Sequence, residues 1–346
     1  MIQLISQKFK ARRYTSRNSM GLIQDTRFMM DRSSVSKLKI SQAIRVFEKD
    51  VKKNGEGYVY AHLQDRVKYN LCCSRILQGN YSDWGGWEFR DDWSLAMKYG
   101  IKTIPFWDGT YTERLVVIGE QGVGDEIMFS SLLPECMTRA KEVVYACDKR
   151  LTGLFSRSFG IEVVTREKDA RDDLLDDFTA YIPAGDLLPL FRRRKEDFPK
   201  KPFIKVDPER VKEFEIYRGR TGISWSGRHG RIDPMMFKNF NPLSLQYNEV
   251  HENIETPPID LKNDLEGVFA LVSVLSNVIS VPTSVHHISG SLGVPTDILP
   301  GTEGVLDQLN WSVPLGWSPW YSNLFVHPDI FSFENKCGGF YQRKYF

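Results

Sequence analysis

From residue 114 onward the chain alternates short β-branched runs with stretches of helical periodicity, and it does so twice, which confines it to α/β architectures built on parallel sheets. The first series offers strands at residues 115–119, 143–147, 162–164 and 180–182, with helical stretches in the gaps. The second offers strands at 221–225 and 242–245, a helix at 265–275, a buried strand at 278–281 and a last short strand at 296–299. At 346 residues and 41% hydrophobic content, two such series predict two consecutive α/β domains. The cleft between them is the default ligand site.

The flanks are less regular. Residues 1–110 read as a basic, Ser- and Met-rich arm followed by a helical and aromatic lead-in, with apolar spacing from Leu38 to Leu77 broken at Gly55 and Gly57. Its aromatic cluster, Tyr81, Trp84, Trp87, Phe89, Trp93, Phe106 and Trp107, reads as packing against the first α/β domain. That domain is expected over residues 111–200, the second over 221–330, and a tail over 331–346. Residues 192–220, with three prolines and many charges, read as a connection whose linker proper is 201–220.

A net charge of +2 gives no global reason to bind nucleic acid. Local basic clusters at Lys8, Lys10, Arg12, Arg13 and Arg17, and at Arg192, Arg193, Arg194 and Lys195, read as solvated, with a polyanion or membrane-surface contact as the alternative. Five cysteines without a CxxC pair or a histidine cluster fit a reduced, cytoplasmic protein. No signal peptide or membrane span is evident, so any lipid contact is expected to be peripheral.

Three junctions carry candidate chemistry. Glu120, Gln121, Gly122, Val123, Gly124 and Asp125 form a strand–turn–helix junction with a carboxylate on the helix's first turn, placed either to cap the helix or to act as a base. Thr283, Ser284 and Val285 open a helix directly after a buried strand, with His287 one turn in; they make either a phosphate site or an ordinary N-cap with a core histidine. Trp225, Ser226 and Gly227 end another strand beside Arg228, His229 and Arg231, cations suited to a diphosphate or to a plain surface turn. There is no Walker lysine, no G-x-G-x-x-G, no D-x-D and no H-E-x-x-H, which disfavours nucleotide hydrolysis, dinucleotide redox and metal chemistry. Asp172, Asp173, Asp176 and Asp177 read as a charged, solvated helix.

Taken in order, these segments resemble a known family. Glu120 to Ile127 is similar to the E-Q-G-x-G-D segment of bacterial and phage glycosyltransferases that carry tetratricopeptide repeats, relatives of lipopolysaccharide heptosyltransferases with the GT-B fold. Gly222 to Gly227 resembles that family's G-x-x-W-x-G, and Ser244-Leu245-Gln246 its S-L-Q. Ser280 to Pro295 parallels its S-V-D-T-x-x-A-H-L-A-G-A-L-G-x-P, and Ser318-Pro319-Trp320-Tyr321 its S-P-W-Y. The lead-in fits as well, with Leu77 to Tyr81 and Trp87, Phe89 and Arg90 similar to a last repeat helix and aromatic connector, and Trp107-Asp108-Gly109 to a W-x-G. The resemblance spans roughly residues 65–330.

It implies two Rossmann-like domains facing a cleft, the acceptor bound mainly by the first and a nucleotide diphosphate sugar, a UDP-sugar foremost, by the second. The implied reaction is inverting transfer to a hydroxyl with no required cofactor or metal. Asp125 becomes the base, Glu120, Gln121, Gly122 and Gly124 the acceptor side, and residues 283–287 the diphosphate site. Gln246 and the Trp225–Gly227 turn would lie near the nucleotide, with Lys238 a further phosphate candidate. The acceptor is left open among a glycan, a protein side chain and a hydroxymethylated base in phage DNA, the last suggested by the compact, shortened form and the basic arm and not by the resemblance. Two departures stand out: Pro282 replaces the family's aspartate in V-D-T, and the short stretch before Ser244 lacks its arginine-serine pair. They leave room for a non-catalytic nucleotide-sugar-binding or protein-interaction module on the same fold.

Overall fold

The computed structural model describes residues 61–90, 104–120, 122–166, 177–199, 201–227, 230–299, 316–328 and 333. The readings of the basic arm, Trp93, Gln121, Asp172, Asp173, Asp176, Arg228, His229 and the tail from residue 334 lie outside the described residues.

Helix α1 (Ala61–Leu77) precedes an aromatic connector and the first sheet. That sheet contains β1 (Thr112–Ile118), β2 (Ala140–Cys147), β3 (Glu162–Thr165) and β4 (Ala180–Pro183), all parallel in the order β3-β2-β1-β4. Between the strands run α2 (Val123–Ser130), α3 (Leu133–Met137) and α4 (Thr152–Phe159), and α5 (Leu187–Phe191) follows β4. The Leu115-Val116-Val117-Ile118 run forms the central strand because both of its faces are covered: Leu115 and Val117 join the main core, while Val116 and Ile118 pack with Val144 and Phe178 on the other face.

After α6 (Pro208–Lys212) the second sheet is built from β5 (Thr221–Ser224), a small antiparallel pair β6 (Ser226–Gly227) and β7 (Gly230–Arg231), β8 (Pro242–Ser244), α7 (Leu265–Val274), β9 (Asn277–Ser280), α8 (Ser284–Leu292), β10 (Thr296–Ile298), β11 (Gly316–Trp317) and β12 (Leu324–Val326). Its six strands run β11-β12-β10-β9-β5-β8, parallel except for β11 on β12. One hydrophobic cluster runs through both halves, from Leu115, Tyr145 and Phe155 to Phe269, Val278, Ile288 and Tyr321.

Two segments that read as a linker and as a solvated basic cluster are packed more closely than those readings suggest. Residues 201–220 are packed: Ile204, Phe214 and Tyr217 are buried, Phe203 N–H donates to the Ser291 carbonyl on α8, and Lys205 N–H to Ser158 Oγ on α4. The segment stitches the two halves together, since its apolar residues lack helical or strand spacing yet find the core. Arg192 is not solvated either. It is 1% exposed, pairs with Glu135, donates to the Ser131 carbonyl at 3.0 Å, and its own carbonyl accepts from Trp84 Nε1 at 2.9 Å. The aromatic connector does pack on the first sheet's layer, with Trp87 Nε1 donating to the Gly185 carbonyl at 2.9 Å. Among the described residues no helix is long and apolar enough to cross a membrane.

Candidate functional site

The two helices that follow central strands, α2 after β1 and α8 after β9, meet head to head. Gly124, on the first turn of α2, lies against the His287 imidazole so closely that a Cβ there would sit 2.6 Å from Cδ2. Gly227, at the end of the second junction, is held as closely to Thr283: its Cβ would meet Thr283 Cγ2 at 2.6 Å and the Pro282 carbonyl oxygen at 3.2 Å. Three motifs far apart in the sequence therefore converge on the start of α8. Gly122, by contrast, has an ordinary extended φ of −109° and a hypothetical Cβ would meet only Asp125 Oδ2 at 3.8 Å. Close approach, not left-handed backbone, is what this turn requires of glycine, and it requires it at Gly124.

Asp125 occupies the third position of α2, with its carboxylate 3.4 Å from the Gly122 N–H. It keeps some accessible surface while protein surrounds it on most sides. Burial pushes its carboxyl up to about 6; the Gly122 N–H opposes that shift and the nearby Glu120 charge adds to it. A carboxyl tuned into this range can take a proton near neutrality.

Glu120 does not line an acceptor surface. It is 1% exposed and locked to Arg90, with Arg90 Nη2 at 2.6 Å from Oε1, and it accepts from the Gly185 N–H at 3.2 Å. Arg90 also reaches Asp186 at 2.6 Å, so this buried cluster ties the connector to the ends of β1 and β4. Glu126, which the sequence reading passed over, is buried beside Asp125. It pairs with Arg166 at 3.0 Å and accepts from the Asp148 N–H at 2.9 Å, and burial pushes its carboxyl up to about 7.

At the start of α8, Thr283 caps the helix through Oγ1, which accepts from the Val285 N–H at 3.3 Å; its own N–H donates to His286 Nδ1 at 3.2 Å. Thr283 and Ser284 keep accessible surface, whereas Val285, His286 and His287 are buried. Among the described residues the Ser284 hydroxyl makes no hydrogen bond. Burial, and for His287 also the neighbouring His286, pushes both histidines down, His286 to about 3. With no ligand bound, burial thus favours the neutral form of His287, which can offer a hydrogen bond. His287 Nδ1 lies 2.9 Å from the hydroxyl of Tyr321, a residue of the S-P-W-Y segment to which the sequence reading gave no role.

The remaining donor-side candidates divide. Gln246 is buried and spent on holding the turn: its Oε1 accepts from the N–H groups of Trp225 and Ser226, both at 3.0 Å, and its Nε2 donates to the Ser226 carbonyl at 2.9 Å. It shapes the junction. Trp225, 1% exposed, belongs to a core cluster with Ile223, Ile232 and Phe237, so its ring is unavailable for stacking. Ser226 and Gly227 stay partly accessible, and Arg231 reaches Ser226 Oγ at 3.4 Å while pairing with Glu249. Lys238 is exposed on a 3₁₀ segment, Pro234–Phe240, and no bond ties it to the site among the described residues. Nor do the described residues hold a group of three or more His, Cys, Asp or Glu able to bind a metal.

No family model matches the chain. Among curated proteins it is similar to Protein FlbA of Caulobacter vibrioides, 26% identical over 312 residues, covering 75% of this chain and 50% of that protein. The chain thus spans about half the length of the curated relative it matches. Among solved structures it is similar to a glycosyl transferase family 9 protein from Veillonella parvula DSM 2008 (12% identity, 65% of this chain and 88% of that one, TM-score 0.44). It is also similar to the ADP-heptose lipopolysaccharide heptosyltransferase II of E. coli (13% identity, 62% and 89%, TM-score 0.43) and to the E. coli heptosyltransferase WaaC with ADP (11% identity, 66% and 98%, TM-score 0.41).

Proposed function

We propose that this chain is a cytoplasmic, inverting and metal-independent glycosyltransferase that moves a sugar from a nucleotide diphosphate to a hydroxyl acceptor. The observation that carries the reading is the convergence at α8: a carboxylate tuned to about 6 stands across from a helix start with free polar groups, and both come from segments that resemble one transferase family. Asp125 takes the proton of the acceptor hydroxyl, whose oxygen attacks the anomeric carbon. The bond from that carbon to the diphosphate breaks, and its electron pair leaves with the phosphate oxygen. The N-terminal dipole of α8 and the Ser284 hydroxyl offset the charge that develops there. In this reading a UDP-sugar is the first donor to try, and the acceptor is a glycan, a protein side chain or a hydroxymethylated DNA base.

One observation favours a second reading, a nucleotide-sugar-binding module without catalysis. Pro282 stands where the resembled family has aspartate, and it offers no side-chain contact to a sugar hydroxyl. A thermal-shift scan of UDP, ADP, GDP and CDP, followed by an assay for nucleotide released from the matching sugar donors, separates the two. Stabilisation by a nucleotide together with its release on adding an acceptor extract supports transfer. Stabilisation without release in any acceptor mixture supports the module, and the absence of any shift overturns both.

A further inference from the structure

We propose that Tyr321 is a positioning residue that locks His287 in its Nε2–H tautomer, so that the neutral imidazole donates a hydrogen bond to a phosphate oxygen of the bound nucleotide; the ligand half of this inference rests on the function proposed above.

The phenol leaves little choice. Tyr321 is 3% exposed, and among the described residues its hydroxyl has one hydrogen-bond partner, His287 Nδ1 at 2.9 Å. If Nδ1 carried the proton, it would donate to the phenol oxygen, and the phenol's own hydrogen would have no hydrogen-bond acceptor among the described residues. Leaving a buried donor unmet is destabilising, because its desolvation goes uncompensated. With the phenol donating to Nδ1, both groups are satisfied and the imidazole proton sits on Nε2. Burial pushes the Tyr321 hydroxyl well above its ordinary range and the nearby Asp125 charge adds to the shift, so the phenol stays a donor.

The ring geometry then fixes where the Nε2–H goes. A Cβ at Gly124 would lie 2.6 Å from Cδ2 and 3.3 Å from Nε2, so this edge of the imidazole faces the first turn of α2, one residue from Asp125. Among the described residues Nε2 has no hydrogen-bond partner. Tyr321 itself is clamped. Its ring lies over Gly290, where a Cβ would meet ring carbons at 2.5–2.8 Å, and it stacks on Phe203 with centroids 6.3 Å apart. Gly124 and Gly290 thus serve the same pair from opposite sides, the first admitting the imidazole and the second the phenol. The nearby accessible hydroxyl of Ser284 and the start of α8 make a phosphate oxygen the acceptor best matched to the free N–H.

Long-range ¹H–¹⁵N correlation on protein labelled with ¹⁵N-histidine reads the tautomer directly, with H287Q assigning the signal among the six histidines. Wild type is expected to show the Nε2–H pattern unchanged from about pH 5 to 8. In Y321F, whose thermal midpoint provides the folding control, the signal should move toward the Nδ1–H form, and affinity for the stabilising nucleotide diphosphate should fall about tenfold. An Nδ1–H pattern in wild type, or a Y321F protein with tautomer and affinity unchanged, would overturn the proposal. If wild type binds none of the four nucleotides yet shows the switch, the tautomer assignment is supported, while its ligand half and the proposed function are both overturned.

Discussion

Asp125 carries a measurable signature of its environment. Its carboxyl is raised from about 4 to about 6, chiefly by burial, so between those values the folded chain binds a proton that the unfolded chain releases. Folding stability therefore falls as pH rises through about 6, and the part owed to the protonated acid is fully present only below the unfolded pKa. Replacing Asp125 by Asn removes this titration. D125N should gain on the order of 2 kcal/mol relative to wild type when urea unfolding at about pH 8 is compared with about pH 4.5. An equal pH dependence in the two proteins would mean that Asp125 sits in ordinary solvent. Glu126 is pushed up to about 7 chiefly by its own burial, and because the Asp125 charge adds to that push, a small part of its titration also changes in D125N. Little of this was legible in the sequence. Asp125 stood out by its place after a glycine turn, but Glu120 owes its role to Arg90 and Gly185, 30 and 65 residues away, and local spacing holds no trace of that pairing.

At the level of elements, the junction between α2 and α8 depends on the missing side chain of Gly124. The imidazole against it is held in place by Tyr321 and cannot swing aside. G124A should lose roughly 1–3 kcal/mol to this overlap, against a gain of at most about 1 kcal/mol in helix propensity. G122A, whose new Cβ meets nothing closer than 3.8 Å, should stay within about 1 kcal/mol of wild type. Equal costs for the two in chemical unfolding would dissolve the claim that the helices meet at Gly124. The strands themselves were readable, because β-branched runs such as Leu115 to Ile118 and Val278 to Val281 are buried on both faces and are bounded by turns. The antiparallel β11–β12 pair was not, since two or three residues per strand give no periodicity to detect.

Across the whole molecule, the sequence announced two α/β series but not how tightly they are joined. Phe198, Ile204, Phe214 and Tyr217 are scattered through a charged, proline-bearing stretch that looks like a linker, yet each is buried in the cluster that runs through both sheets. The Arg157–Glu266 pair and the bond from Arg150 to the Lys262 carbonyl at 2.8 Å cross the same boundary. Such a frame holds the two helix starts in a fixed relation, which is what placing a base opposite a leaving phosphate demands. The most direct measurement is turnover of the donor found in the nucleotide scan, by wild type and D125N side by side. D125N is expected to bind the nucleotide as wild type does while turnover falls by about 10²–10⁴, with an acid limb near pH 6 in the wild-type profile alone. Turnover by D125N at the wild-type rate would contradict that expectation.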